Sequence, residues 1–480
     1  MKRLSFGFIT LFAGILLLSI SCNNTTNGGG TETVVNGANL AAKLSWLTGN
    51  AQRDTAYLLE IKQGESIAAQ SLSYGGRTGI SIRLKGIGGE RVISLTGTGS
   101  LFTIDSGVTL ILDSNITLKG ITGNTASLLR VSPGGKLVIN TASKITGNSF
   151  SISGVKGGGV YVDGGTVTMN GGEISFNNCL NGGGVYVANG AFTMNGGAIS
   201  ENNADYSGAG VLVDSNAVFT MSGGKITDNR SDGGGGVAVG ASAIFIMIGG
   251  EISGNTASFA GGAGVALGPG TFAMNGGKIS GNITDHSGGG VNLSSGNFIM
   301  SGGAITGNEA AEGGGIALKG ESSSKGNFTM SGSAVISGNT AHYTGGGVYM
   351  VSDVAFTMNS GEISGNTTGY SGGGVYVFGA NATFTMLSGA ISGNTSDDVA
   401  GGLYMSSAGT FRIVNGTIYG TNESNEALRN KVTGSGAAMF NDGDSQYGTF
   451  SGSTWNPNGG FPGMNSTIDN TIKVVNGFLQ

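Results

Sequence analysis

A unit of about 26 residues recurs through the middle of this chain, and few folds can accept such a repeat. Gly-Gly-Gly-Val, or a close variant, occurs ten times. The residue after the glycines is Val160, Val185, Val211, Val237, Val265, Val291, Ile316, Val348, Val375 and Leu403, at spacings of 25 to 32 residues. Two further markers lie between the copies. One is Phe-x-Met or a variant, which places nine of the 14 methionines in one column. The other is Ile-Ser/Thr-x-Asn, whose asparagines run from Asn124 and Asn148 to Asn394. Each unit holds three short alternating segments, such as Val185-Tyr186-Val187, Phe192-Thr193-Met194 and Ala198-Ile199-Ser200. A period of two predicts strands, and the glycine-rich stretches between them predict turns. A propeller blade needs about 40–45 residues, and the leucine-rich pattern is missing. Three short strands in 26–27 residues fit one coil of a single-stranded parallel β-helix, an all-β solenoid.

The alternation assigns sides. Val185, Val187, Phe192, Met194 and Ile199 face inward, while Tyr186, Thr193, Ala198 and Ser200 face outward. Stacking coils about 4.8 Å apart puts like above like. Phe192, Phe219, Phe245, Phe272, Phe298, Phe328, Phe356 and Phe384 are then one internal ladder. The repeated asparagine is expected at a left-handed turn position, with its amide bonding the next coil. Ahead of the repeated Ile, Lys225, Glu251 and Lys278 alternate in sign on the outside. One coil cannot bury enough apolar surface to order itself, so stability has to come from the stack. Eleven to thirteen coils are expected.

Outside the repeats, residues 39–47 (NLAAKLSWL) place Leu40, Leu44 and Leu47 on one helical face, with Asn39 as cap and Gly49 as stop. This short N-terminal capping helix would cover the open edge of the first coil. Lys2 and Arg3 precede an apolar run over 4–20, followed by Ser19-Ile20-Ser21-Cys22 and a polar, Gly-rich tract. This is the form of a secretory signal. The resulting division is 1–21 signal peptide, 22–37 Cys22 and flexible tether, 38–55 capping helix, 56–420 β-helix and 421–480 C-terminal cap. Variable lengths occur between the repeated Asn and the glycines, as in Asn203–Ser207 and Thr340–Thr344, and in the longest insertion at 319–327. These stretches are expected to be loops, where recognition usually sits.

Composition narrows the function classes. With 23 Lys+Arg against 28 Asp+Glu and no basic block, a nucleic-acid partner is not expected. Neither a phosphate loop nor the calcium nonapeptide is present, so no cofactor or metal is called for. Once Cys22 is modified, Cys179 is the sole free thiol, so no intramolecular disulfide can form. Asp205, Asp228, Asp232, Asp285, Asp397 and Asp398 lie in or beside the variable stretches and are expected to be solvated turn residues. Outward positions of the Gly-Gly-Gly-Val strand hold no carboxylate, so the chain is expected not to be an enzyme. They do hold Tyr161 and Tyr186, and then Tyr349, Tyr376 and Tyr404 on three successive coils. These five form the candidate binding face, since exposed aromatic ladders bind sugar rings or apolar patches of a partner.

The Gly-Gly-x-Val and Ile-Ser-x-Asn units resemble the GGA(I/L) and FxxN repeats of chlamydial polymorphic outer-membrane proteins. More broadly they resemble the right-handed parallel β-helices of the pectin-lyase-like superfamily. Ser19-Ile20-Ser21-Cys22 is similar to the lipobox of bacterial lipoproteins, and with the repeats, where the β-helix resemblance covers about 100–420, the likeness is to spirochaete-type β-helix lipoproteins. Here Ile-Ser-x-Asn replaces Phe-x-x-Asn, and the last 60 residues are too few for the membrane β-barrel of the chlamydial proteins. The resemblance implies lipidation at Cys22 and a monomeric rod anchored in a bacterial cell envelope, at the outer membrane or cell surface. It implies adhesion, with a glycan or a host or envelope protein as partner. The same superfamily contains polysaccharide lyases and glycosidases, so polysaccharide binding or degradation is the alternative.

Overall fold

The computed structural model describes residues 32–150, 154, 156–320, 325–451, 454–461 and 466–480. The signal segment, Cys22 and most of the tether lie outside them. The described chain is a right-handed parallel β-solenoid of about 14 turns, or about 65 Å of stack at 4.8 Å per coil.

Each central coil runs through strands such as Val185–Ala188, Ala191–Met194 and Ala198–Ser200. We call the sheets they build the Tyr sheet, the Phe sheet and the Ile sheet. Neighbouring coils pair in parallel with like residues aligned: Val185 with Val211, Phe192 with Phe219 and Ile199 with Ile226. The phenylalanine ladder runs from Phe192 to Phe411, with ring centroids 4.5–5.1 Å apart and rings within 28° of parallel. These rings and the methionines two residues on are buried.

The stretch between the repeated Asn and the glycines is not a loop. Segments such as Asn203–Ser207, Thr256–Gly261 and Thr340–Thr344 form a fourth sheet, ten-stranded among the described residues. Sequence alternation hides it because most of its longer strands carry a bulge, as between Ala204 and Ser207, which breaks the period of two. Its inward positions are small residues such as Ala204, Ala310 and Ala341.

At the corner after the Ile sheet, buried asparagines from Asn124 to Asn430 form a polar ladder. Asn229 donates both its backbone N–H and its Nδ2 to Asn255 Oδ1, each at 3.0 Å. The same Nδ2 reaches back to the Ile199 carbonyl at 2.9 Å. The left-handed position is not the asparagine but the residue before it: Glu201 (φ 54°), Asp228 (φ 57°) and Gly254 (φ 66°). The neighbour makes the turn, and the asparagine is kept for its amide. Asn430, which lacks the Ile-Ser prefix, continues the ladder at 2.9 Å from Asn394.

The expected β-helix of 56–420 includes marker-free segments, and the stack also continues in parallel past 420 into the stretch expected to be only a cap. Ala56–Ile61, Ile80–Gly86 and Val108–Leu112 pair in parallel at one end, and Met439–Asn441 extends the Tyr sheet at the other. The helix Leu40–Asn50 is capped by Asn39, whose Oδ1 accepts from Ala42 N at 2.8 Å. Gly49 lies inside its last turn instead of ending it. Leu40, Leu44 and Leu47 are buried. At the far end, Thr454–Gly460, Ser466–Ile468 and Ile472–Val475 return antiparallel onto the Phe, Tyr and Ile sheets, covering their parallel edges.

Candidate binding face

The outward column of the Tyr sheet is in register. Arg130, Tyr161, Tyr186 and Leu212 align on successive coils, and Tyr349, Tyr376, Tyr404 and Phe440 do so further along. Exposure is not as expected: Tyr186 is 3% and Tyr349 9% exposed. The corner entering the strand packs against the base of each of these side chains. Gly345 adopts φ +68°, and a Cβ placed on it would lie 2.8 Å from Tyr349 Cβ. The glycine backbone therefore rests on the tyrosine four residues later.

Tyr349 and Tyr376 stack at 5.7 Å, Tyr376 and Tyr404 at 4.6 Å, and Tyr404 and Phe440 at 5.2 Å, with planes 20° or less apart. Their faces are turned to one another, so the part left to solvent is ring edge and hydroxyl. Glu312, from the fourth sheet, lies beside the top of this column. It accepts from Ser287 Oγ at 2.9 Å and pairs with Lys319 Nζ at 3.1 Å, and that Nζ sits 5.7 Å from the Tyr349 ring. Burial, with the Glu312 charge and a neighbouring phenol, pushes the Tyr349 and Tyr376 hydroxyls up to about 12. Tyr404 is raised by burial and by Asp442 and Asp398. All three phenols stay protonated near neutrality, each able to donate and accept a hydrogen bond.

Tyr161 and Tyr186 form a separate, edge-to-face pair at 5.7 Å. Tyr186 donates to Asp214 Oδ2 at 2.6 Å and Tyr161 to Asp163 Oδ1 at 3.3 Å. Lys156 Nζ lies 4.8 Å from the Tyr186 ring centroid, and Arg130 lies 5.9 Å from that of Tyr161. These hydroxyls are committed to aspartates, so this pair does not extend the Tyr349 row.

The fourth sheet and the bend after its strand Thr367–Thr368 add aromatics that the sequence reading missed. Tyr206, Phe259, Tyr343 and Tyr370 are 54–74% exposed. Tyr343 and Tyr370 lie on successive coils with centroids 5.9 Å apart, and Tyr370 N donates to the Tyr343 carbonyl at 2.9 Å. Asp398 N donates to the Tyr370 carbonyl at 3.0 Å, carrying the line onto the coil of Tyr404. The only sequence signal was an aromatic recurring just before the glycines. Of the turn aspartates, Asp228 accepts from Thr227 Oγ1 at 2.7 Å. Among the described residues no three His, Cys, Asp or Glu side chains gather as a metal site. Cys179 is buried, its Sγ 3.0 Å from the Asn181 carbonyl, and burial pushes its thiol up to about 12.

Comparison with protein-family models, with curated proteins and with solved structures finds no match to this chain.

Proposed function

We propose that this protein is a lipid-anchored rod of the bacterial cell envelope that adheres by binding a saccharide chain along one corner of the solenoid. One observation carries the reading. Two aromatic rows of opposite character follow the same coils: Tyr343 and Tyr370 present accessible rings, and Tyr349, Tyr376 and Tyr404 present edges and protonated hydroxyls. A sugar chain offers what each row can use, C–H faces for the rings and hydroxyls for the phenols. Glu312 and Asp398 sit beside the hydroxyl row as further acceptors. Anchoring rests on the basic start, the apolar run and Cys22. Two or more acyl chains on Cys22 would hold the rod stably, since one chain is marginal. The likeness to pectin-lyase-type β-helices supports a polysaccharide as ligand.

The test is a glycan array probed with the full chain. Tyr343→Ser with Tyr370→Ser removes the ring row, and Tyr349→Phe, Tyr376→Phe and Tyr404→Phe together remove the hydroxyls while keeping the stack. Each set should weaken binding at least tenfold. Unchanged binding in both sets would refute the corner as the site. Release of unsaturated uronate or new reducing ends from a bound polysaccharide would move the reading to a degradative enzyme. In cells, Cys22→Ala should free the chain from the membrane fraction.

A further inference from the structure

The outer face of the Phe sheet carries a feature independent of the tyrosine corner. From Thr166 to Thr410 its ten strands each place two side chains on the outer face, of which Ala273 is buried, and apart from Arg412 at the last none is charged. The flanking turn column, Asn170 through Val414, is uncharged as well. Charge returns at both limits, at Lys136 and at Arg412. The Ile sheet is the opposite, with Lys144 and Glu173 paired at 2.9 Å on its outer column. At the middle of the uncharged strip Val218 aligns with Ile244 on the next coil, and Ile246 and Ile299 lie on either side of Ala273, on the coil between them. Ile244 is 39% exposed, and Ile248, in the turn at the other end of the same strand, is 53% exposed. The strip therefore has an apolar centre and a Thr/Asn rim, the layout of a protein interface.

We propose that this face binds a second copy of the chain, sheet against sheet, although the sequence pointed to a monomer. Three arguments favour that occupant. A two-fold interface sets a column against its own copy, so any fixed charge there would meet its like. Both outward columns of the strip lack charge, whereas the Ile sheet carries Lys144, Glu173, Lys225, Glu251 and Lys278 on one of its two, and the Tyr sheet carries Asp163, Asp214 and Lys319 on one of its two. Two copies also share one coil spacing, so their side-chain rows interdigitate along the whole length, as paired sheets do about 10 Å apart. A partner of another fold has no such periodicity. Finally, ten strands at about 4.8 Å and five residues of width cover about 600 Å² per copy, or about 1,200 Å² in all, the lower end for specific association. A two-fold parallel to the rod axis leaves both amino termini at one end. This orientation suits two anchors in one membrane and rests on the anchored reading above; the pairing itself does not.

Sedimentation velocity of the full-length chain in mild detergent, from 1 to about 100 µM, tests the pairing. The wild type should pass from monomer to dimer in that range. Ile246→Lys, and separately the rim variants Thr193→Lys and Thr329→Lys, should weaken dimerisation at least tenfold with unchanged circular dichroism. Ser200→Lys, on the outer Ile sheet, should leave it as it is. A wild type that stays monomeric to 100 µM overturns the proposal. So does a dimer that survives both rim variants. A cysteine at Thr385, bridged to itself by a short bis-maleimide, reports the parallel two-fold; dimers that never bridge there overturn that orientation.

Discussion

At the scale of single residues, the fold depends on side chains whose partners are in other coils. Asn255 accepts two hydrogen bonds from Asn229 and donates to Ile226, Ser253 and Asn282. Asn255→Ala orphans buried donors and acceptors in two neighbouring coils and should cost about 3 kcal/mol. Asn195→Ala, at an exposed turn where Nδ2 reaches Asn170 Oδ1 at 3.0 Å, should stay within about 0.5 kcal/mol. Urea unfolding of both variants measures the difference. Gly236 is fixed by the same neighbours: a Cβ there would lie 2.6 Å from the Gly264 carbonyl oxygen and 2.7 Å from Ile252 Cγ2. The asparagine column was legible because the residue type repeats. Its role was only partly so, since the left-handed backbone belongs to the residue before it, whose identity varies among Gly, Asp, Glu and Phe.

At the scale of the element, the tyrosine row shows how a strand's neighbours decide what its outward side does. Alternation put the tyrosines on the outer surface, and they are there. Tyr186 and Tyr349 are nevertheless buried and Tyr161, Tyr376 and Tyr404 half-buried, which period-two patterning cannot reveal. Burial has a measurable consequence. Tyr349 and Tyr376 hold their protons to about pH 12 in the folded chain, whereas an unfolded tyrosine releases its proton near 10. Their raised values mean that stability is intact below about pH 10 and is lost as pH rises through about 12. In an alkaline titration followed at 295 nm, these two phenols should ionise late and together with unfolding. Replacing both by Phe should move the unfolding midpoint to higher pH.

At the scale of the whole molecule, stability accrues coil by coil between two dissimilar ends. Excising residues 185–210 joins Gly184 to Val211 and leaves every sheet continuous. The shortened chain should fold cooperatively and lose about 4.8 Å of length by small-angle scattering. Phe272→Asp puts a carboxylate between Phe245 and Phe298 in the ladder, where rings lie 4.6 and 4.8 Å away. It should abolish cooperative melting, since an unpaired buried charge costs several kcal/mol. The sequence by itself determined the solenoid, its inward ladders and the register, because stacking identical units forces identical residues into columns, and periodicity is visible in one dimension. The tertiary structure alone decided that the stretches between the repeated Asn and the glycines are a fourth sheet, that Tyr186 and Tyr349 are buried, that the chain past 420 adds to the stack, and that one face is uncharged from Thr166 to Thr410. Those properties arise where segments 25 or more residues apart meet, and a linear pattern records what repeats along the chain, not what lies across a corner.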